Sequence, residues 1–106
     1  FAITSKKRVA SLPDVPTSAE AGLPAFDVTT WYGLYAPRGT PKPIVDKLSE
    51  ALQAALKDPA LVARFAELSM APVEQERATP AALEAFLKAE IEKWGRIIKQ
   101  AGIQPQ

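Results

Sequence analysis

The side chains that most often perform catalysis are missing from this sequence. Its 106 residues include no histidine and no cysteine. The chain therefore lacks the usual general base at neutral pH, any thiolate nucleophile and the commonest zinc ligands. We expect no catalytic residues, no metal site and no cofactor, and so we do not expect an enzyme.

Hydroxyl and carboxylate side chains remain in the first third of the sequence. Thr4 and Ser5 are adjacent residues whose hydroxyls can donate hydrogen bonds. The Thr-Ser-Ala-Glu run at residues 17–20 matches a capping box, in which the threonine and glutamate side chains each bind a backbone N–H. Because this role accounts for Glu20, we assign its carboxylate no catalytic function.

The charged residues are almost balanced, with 13 lysines and arginines against 12 aspartates and glutamates. A net charge of +1 offers no electrostatic basis for binding nucleic acid or an anionic membrane. The hydrophobic content of 47% is ordinary for a globular protein. No apolar run approaches the roughly 18 residues of a membrane-spanning helix, and no signal-peptide pattern opens the sequence.

Three proline positions predict where helices begin. Each proline follows a residue that commonly caps a helix and precedes an apolar pattern of helical period. The pairs are Thr40-Pro41, Asp58-Pro59 and Thr79-Pro80, and they predict helices over residues 41–57, 59–68 and 80–101. The apolar stripe of the last helix comprises Leu83, Leu87, Ile91, Trp94, Ile98 and Ala101.

Strand signals are fewer than helix signals. The β-branched and aromatic residues of Phe26–Ala36 predict the best strand, and residues 1–4 resemble the end of another. Residues 71–74 suggest a second, edge-like strand because their proline cannot donate to a ladder. A single good strand cannot form a sheet. The chain therefore reads as part of a larger α/β fold that is mostly helical in this portion.

A linked series of motifs resembles the C-terminal portion of a known receptor family. The family comprises the substrate-binding receptors of tripartite tricarboxylate transporters, the Bug-type or TctC-like periplasmic solute receptors. The resemblance spans essentially the whole chain in order. Its motifs lie at residues 2–5, 12–17, 20–22, 31–37 and 39–41 and in the closing segment 90–102.

The resemblance implies a two-lobed, type II periplasmic-binding-protein clamshell, of which this chain is about the last third. Residues 1–36 would end the second lobe and include a crossover segment, Val28–Ala36, through the hinge. Residues 37–106 would be helices packed on the first lobe. Gly33 and Pro37 interrupt the crossover and are the expected hinge residues. The family's main ligand-gripping loops would lie in the N-terminal two thirds, outside this chain.

Four residues are the expected ligand contacts under this resemblance. Thr4 and Ser5 would lie at the mouth of the cleft, where their hydroxyls can donate to a carboxylate. Trp31 and Tyr32 would point to opposite faces of the crossover segment, so at most one of them faces the cleft. The structural alternatives are loop capping for the hydroxyls and core packing for an aromatic ring.

The function implied is binding rather than catalysis. The parent receptor would bind a small organic acid in the periplasm and deliver it to the membrane subunits of a tripartite tricarboxylate-type transporter, with no nucleic acid as partner. The alternative is a structural module that covers its apolar faces by self-association into a homo-oligomer and binds no solute itself.

Overall fold

The computed structural model describes residues 1–104, which form three α-helices and one short 3-10 helix. The helices are α1 (Lys42–Ala55), α2 (Pro59–Glu67) and α3 (Pro80–Gln100), with the 3-10 helix at Gln75–Arg77. The three predicted helices are confirmed, to within two residues at each end. Each helix begins at or next to a proline and follows an apolar period, so the local sequence predicts its position.

Two of the three predicted caps are present at the helix starts. One carboxylate oxygen of Asp58 accepts from the N–H groups of Ala60 and Leu61 at 2.8 and 3.1 Å. The hydroxyl of Thr79 accepts from the N–H of Ala82 at 3.2 Å. Both caps satisfy N–H groups that a helix leaves without internal partners.

The third predicted cap, at Thr40, was wrong. The N-cap of α1 is Pro41, with no side-chain cap, and the Thr40 hydroxyl instead donates to the Pro37 carbonyl at 2.8 Å. If Thr40 capped the helix, Pro43 would occupy the third helical position. That residue has no N–H to donate, so one of the two usual partners of a capping hydroxyl is missing.

Two compact units can be distinguished in the chain. The first comprises Phe1–Ala36 with Lys57–Pro72, and the second comprises Pro37–Leu56 with the chain from Val73 onward. One border falls after Ala36, where the sequence also placed a division. The assignment of residues 1–36 and 37–106 to particular lobes stays a prediction.

The first unit contains one short parallel bridge between Ile3 and Thr17. The Ile3 N–H donates to the Pro16 carbonyl at 2.8 Å, and the Ser18 N–H donates to the Ile3 carbonyl at 2.7 Å. This bridge joins the predicted strand end to the segment that carries the capping box.

Two predicted strands are wrong for this chain. Residues 26–36 and 71–74 form neither helix nor strand ladder within the described residues 1–104. The β-branched and aromatic composition of Phe26–Ala36 is suited to a sheet. A ladder also needs a neighbouring strand, and the described part of the first unit pairs only Thr4 with Val28.

In the second unit, polar contacts join α1 to the 3-10 segment. The Gln53 side chain donates to the Ala78 carbonyl at 2.9 Å, and Gln75 donates back to the Gln53 carbonyl at 3.4 Å. The Arg77 guanidinium lies 5.4 Å from the centre of the Phe86 ring, within reach of a cation–π interaction. Ala78, at 6% exposure, lies at the centre of these contacts.

Little apolar surface is covered in the described part of the chain. Ala78 is its one buried apolar residue, and no large side chain there is fully buried. The predicted stripe of α3 is only partly covered, since Ile91 is 63% exposed and Ile98 is 43% exposed. This part of the stripe therefore stays open to water in the described chain. Among residues 1–104, no helix combines the length and apolar character needed to span a membrane.

Candidate functional site

The candidate site is built on two hydroxyl-to-carbonyl hydrogen bonds in the first unit. We name this group the hydroxyl junction: the hydroxyls of Thr4 and Ser18 with the carbonyls of Val28 and Phe26. Thr4 and Val28 pair twice. The Val28 N–H donates to the Thr4 carbonyl at 3.1 Å, and the Thr4 hydroxyl donates to the Val28 carbonyl at 2.6 Å. The predicted strand end is thereby joined to the first residue of the crossover segment.

Ser18 completes the hydroxyl junction from a third segment. Its hydroxyl donates to the Phe26 carbonyl at 2.5 Å, while its backbone N–H holds Ile3. Ser18 is 6% exposed, and the neighbouring Thr17 is 4% exposed. Buried hydroxyls require partners, and no side-chain polar atom buried within the described chain lacks one. Segments 3–4, 17–18 and 26–28 are therefore tied together by polar contacts rather than by an apolar core.

The predicted capping box is confirmed beside this junction. The Thr17 N–H donates to the Glu20 carboxylate at 2.7 Å, and the Glu20 N–H donates to the Thr17 hydroxyl at 3.2 Å. These reciprocal contacts fix the turn that carries Ser18. Glu20 is thus occupied by a structural role, as its position in the motif indicated.

Arg8 is a contributor that sequence reasoning missed. It donates to both oxygens of Glu20 and, through Nη1, to the Pro13 carbonyl at 2.8 Å. The pKa of Glu20 lies below its ordinary value. The largest cause is the hydrogen bonding from Arg8, and the next is the backbone hydrogen bond from Thr17. Twelve residues separate Arg8 from Glu20, so no helical or strand period connects them. The only signal in the sequence is the basic run at residues 6–8, which by itself is typical of a solvated loop.

The hydroxyls proposed to contact ligand are half-buried and engaged with backbone carbonyls. Thr4 donates to Val28, and Ser5 donates to the Lys7 carbonyl at 2.7 Å. A hydroxyl carries one proton, so each would exchange its present acceptor to donate to a carboxylate. The observed contacts are those expected if the hydroxyls of Thr4 and Ser5 cap loop carbonyls. The ligand role of both residues stays a prediction.

The aromatic pair differs in exposure. Trp31 is half-buried, whereas Tyr32 is 79% exposed. The Thr4 hydroxyl bonds to the carbonyl of Val28, which lies three residues before Trp31. Thr4 is therefore connected to the aromatic pair through the backbone of residues 28–31. The ligand role of each ring stays a prediction.

The expected hinge residues lie farther along the crossover. Gly33 does not use the left-handed backbone conformation that only glycine adopts readily. A Cβ atom there would instead lie 2.9 Å from Cε2 of Tyr35, so the lack of a side chain allows that ring to lie against the backbone. Pro37 is the first residue of the second unit. Hinge motion at both positions stays a prediction.

Comparison with known proteins places this arrangement in the class of periplasmic solute-binding receptors. The chain belongs to the tripartite tricarboxylate transporter receptor family, whose model matches residues 1–103. A UPF0065 protein of Agrobacterium vitis is 52% identical over 102 residues, and protein BugT of Bordetella pertussis is 36% identical over 102 residues. Each alignment covers 96% of this chain and 30% of the relative. The chain therefore spans about 30% of the length of these two relatives.

Solved structures show the same fold. The periplasmic binding protein BugD matches with a TM-score of 0.89 and 46% identity, over all of this chain and 35% of BugD. MatC of Rhodopseudomonas palustris, solved with bound malate, matches with a TM-score of 0.83 and 40% identity, over 92% of this chain and 33% of MatC. An R. palustris protein solved with adipate matches with a TM-score of 0.84 and 34% identity, over all of this chain and 34% of that protein.

These matches confirm the predicted family and fold class. The chain is part of a periplasmic-binding-protein fold from a family of solute-binding receptors, which are not enzymes. About two thirds of the length of each matched structure lies outside the region that this chain covers.

Proposed function

We propose that the receptor to which this chain contributes binds a small carboxylate-bearing metabolite in the periplasm and delivers it to a tripartite tricarboxylate-type transporter. The observation that carries this proposal is the match in fold to two proteins solved with dicarboxylates, malate and adipate. The family description supports the transporter as the partner.

The charges of the first unit indicate how such a ligand would be held. Arg8 presents its guanidinium to Glu20, and Lys6 lies 3.5 Å from Asp27. Lys6 and Arg8 thus face carboxylates of the chain itself. The proposal assigns carboxylate recognition beside them to neutral donors, the hydroxyls of the candidate contacts Thr4 and Ser5. Neutral hydrogen bonds can hold an anion where the fold has prearranged them.

Binding would act by population shift between open and closed lobes, as in other clamshell receptors. In this proposal, ligand contacts beside Thr4 favour the closed form, and the crossover segment carries the change. No covalent step is involved. Delivery to the transporter then depends on recognition of the closed receptor.

The test uses a full-length receptor of this family that carries residues 1–106. A thermal-shift screen with malate, adipate and other small carboxylates should raise the melting temperature for at least one acid. Ser5→Ala should weaken binding of that acid by about fivefold, the value of one neutral hydrogen bond. Ser11→Ala is the matched control, since Ser11 is exposed and its hydroxyl pairs with the Ser69 hydroxyl at 3.0 Å.

Delivery needs a separate measurement. Uptake of the acid by cells that contain the transporter membrane subunits should depend on the receptor. Uptake that is unchanged without the receptor would contradict delivery, even if the acid binds. A receptor that shows no shift with any carboxylate would contradict the binding proposal itself.

A further inference from the structure

We propose that Ser18 is a positioning residue for the carboxylate site, because its buried hydroxyl fixes where the crossover segment begins. The inference rests on the proposed function, since the crossover segment carries the candidate contacts Trp31 and Tyr32. Ser18 itself touches no ligand in this proposal. It acts by holding the Phe26 carbonyl, two residues before Val28.

The local turn does not explain why residue 18 is a serine. The capping box uses the side chains of Thr17 and Glu20 and needs only a backbone at residue 18. The Ser18 N–H and carbonyl already pair with Ile3 and Leu23, at 2.7 and 2.8 Å. The backbone position is therefore fixed without the hydroxyl, and alanine would fit the same turn. The hydroxyl serves the longer-range contact to Phe26.

Ser18 is the buried partner in this contact. Ser18 is 6% exposed in a chain whose described part has few buried residues. The bond itself is part-buried, because Phe26 is 52% exposed, so its loss should have the modest cost of an ordinary hydrogen bond. Removing the Ser18 hydroxyl would leave the Phe26 carbonyl without its side-chain donor at this junction.

The two hydroxyls of the junction act on alternate residues of the same stretch. Ser18 donates to Phe26, and Thr4 donates to Val28. Thr4 is itself a candidate ligand contact, so a Thr4 variant would mix two effects. Ser18 lies outside the candidate contacts and therefore tests positioning alone. If the junction is weakened, ligand binding must also order the start of the crossover segment. The free energy of that ordering opposes binding, so affinity would fall.

The experiment uses Ser18→Ala in a full-length receptor that carries residues 1–106, with Ser11→Ala as the control. Hydrogen–deuterium exchange is measured on the unliganded receptor, in peptides covering residues 27–36 and 42–55. Affinity is measured by calorimetry with malate and adipate as the probes. We expect faster exchange in residues 27–36 only, and affinity lowered by about threefold to tenfold. Ser18→Thr keeps the hydroxyl and should restore the exchange pattern.

The outcomes separate this inference from the proposed function. Wild-type receptor that binds no carboxylate contradicts the proposed function, and exchange on the unliganded receptor then still decides the role of Ser18. Ser18→Ala that matches the wild type in exchange and affinity overturns the inference. Exchange that rises equally in residues 27–36 and 42–55 also overturns it, because Ser18 would then only stabilise the fold.

Discussion

Arg8 and Glu20 form a two-point ion pair, with Nε 3.0 Å from Oε2 and Nη2 3.1 Å from Oε1. The same Glu20 closes the capping box with Thr17, and the same Arg8 holds the Pro13 carbonyl. One carboxylate thus joins the proline-rich loop to the turn that presents Ser18. Two motifs of the family resemblance, at residues 12–17 and 20–22, lie within this hydrogen-bonded region.

The pKa of Glu20 predicts a stability contribution that depends on pH. Arg8, and then the Thr17 N–H, favour the charged carboxylate, so its pKa in the folded protein lies below the ordinary 4.5. The stabilisation is complete above the unfolded-state pKa and is lost as the pH falls through the lowered folded-state pKa. The melting temperature of the wild type should exceed that of Glu20→Gln at neutral pH, and the difference should shrink in acid. A difference that persists unchanged in acid would contradict this origin.

Helix capping predicts unequal effects for two threonines. Thr79 caps α3, whereas Thr40 leaves α1 without a side-chain cap. Thr79→Ala should lower the free energy of unfolding of the receptor by about 1 kcal/mol. Thr40→Ala is the matched control and should have a clearly smaller effect. Urea titration of both variants provides the comparison, and equal losses would show that the capping assignment is wrong.

Gly33 predicts a separable effect on affinity. A valine at this position would displace the Tyr35 ring, which is exposed and can move, so the fold should survive. Gly33→Val should weaken carboxylate binding because it alters the crossover at the expected hinge. Adding Tyr35→Ala removes the crowded ring. If the double variant recovers affinity, crowding of the Tyr35 ring is the cause and hinge stiffness is not. If Gly33→Val alone leaves affinity unchanged, neither crowding nor a hinge at Gly33 affects binding.

Exposed apolar residues predict the behaviour of residues 1–106 on their own. Ile91 and Ile98 project from α3 with little cover in the described chain. Exposed apolar surface of this kind favours association with other copies. Sedimentation of the isolated polypeptide should depend on concentration, and Ile91→Glu should reduce that dependence. A monomer at all concentrations, with sharp thermal unfolding, would contradict the prediction.

The sequence predicts structure well where the determinants are local. The caps at Asp58 and Thr79 and the capping box at Thr17 follow from residues within one helical turn. The cap at Thr40 fails because a second proline, Pro43, changes the available donors. These results depend on neighbours two or three positions away, and a sequence motif includes such neighbours.

Longer-range contacts could not be predicted in the same way. The hydroxyl of Ser18 reaches Phe26, and that of Thr4 reaches Val28, 24 residues away. No period or motif links such positions. The strand predicted at Phe26–Ala36 has the right composition for a sheet, but a ladder also needs a neighbouring strand, and in the described chain Val28 pairs with Thr4 alone at the start of the segment.

The most direct test of the central claim is a calorimetric titration of the full-length receptor carrying residues 1–106. The wild type is titrated with malate and adipate, and then with the neutral diamide of each acid. The proposed function predicts saturable binding of at least one acid and much weaker binding of its diamide. Equal binding of acid and diamide, or no binding of any small carboxylate, would contradict it.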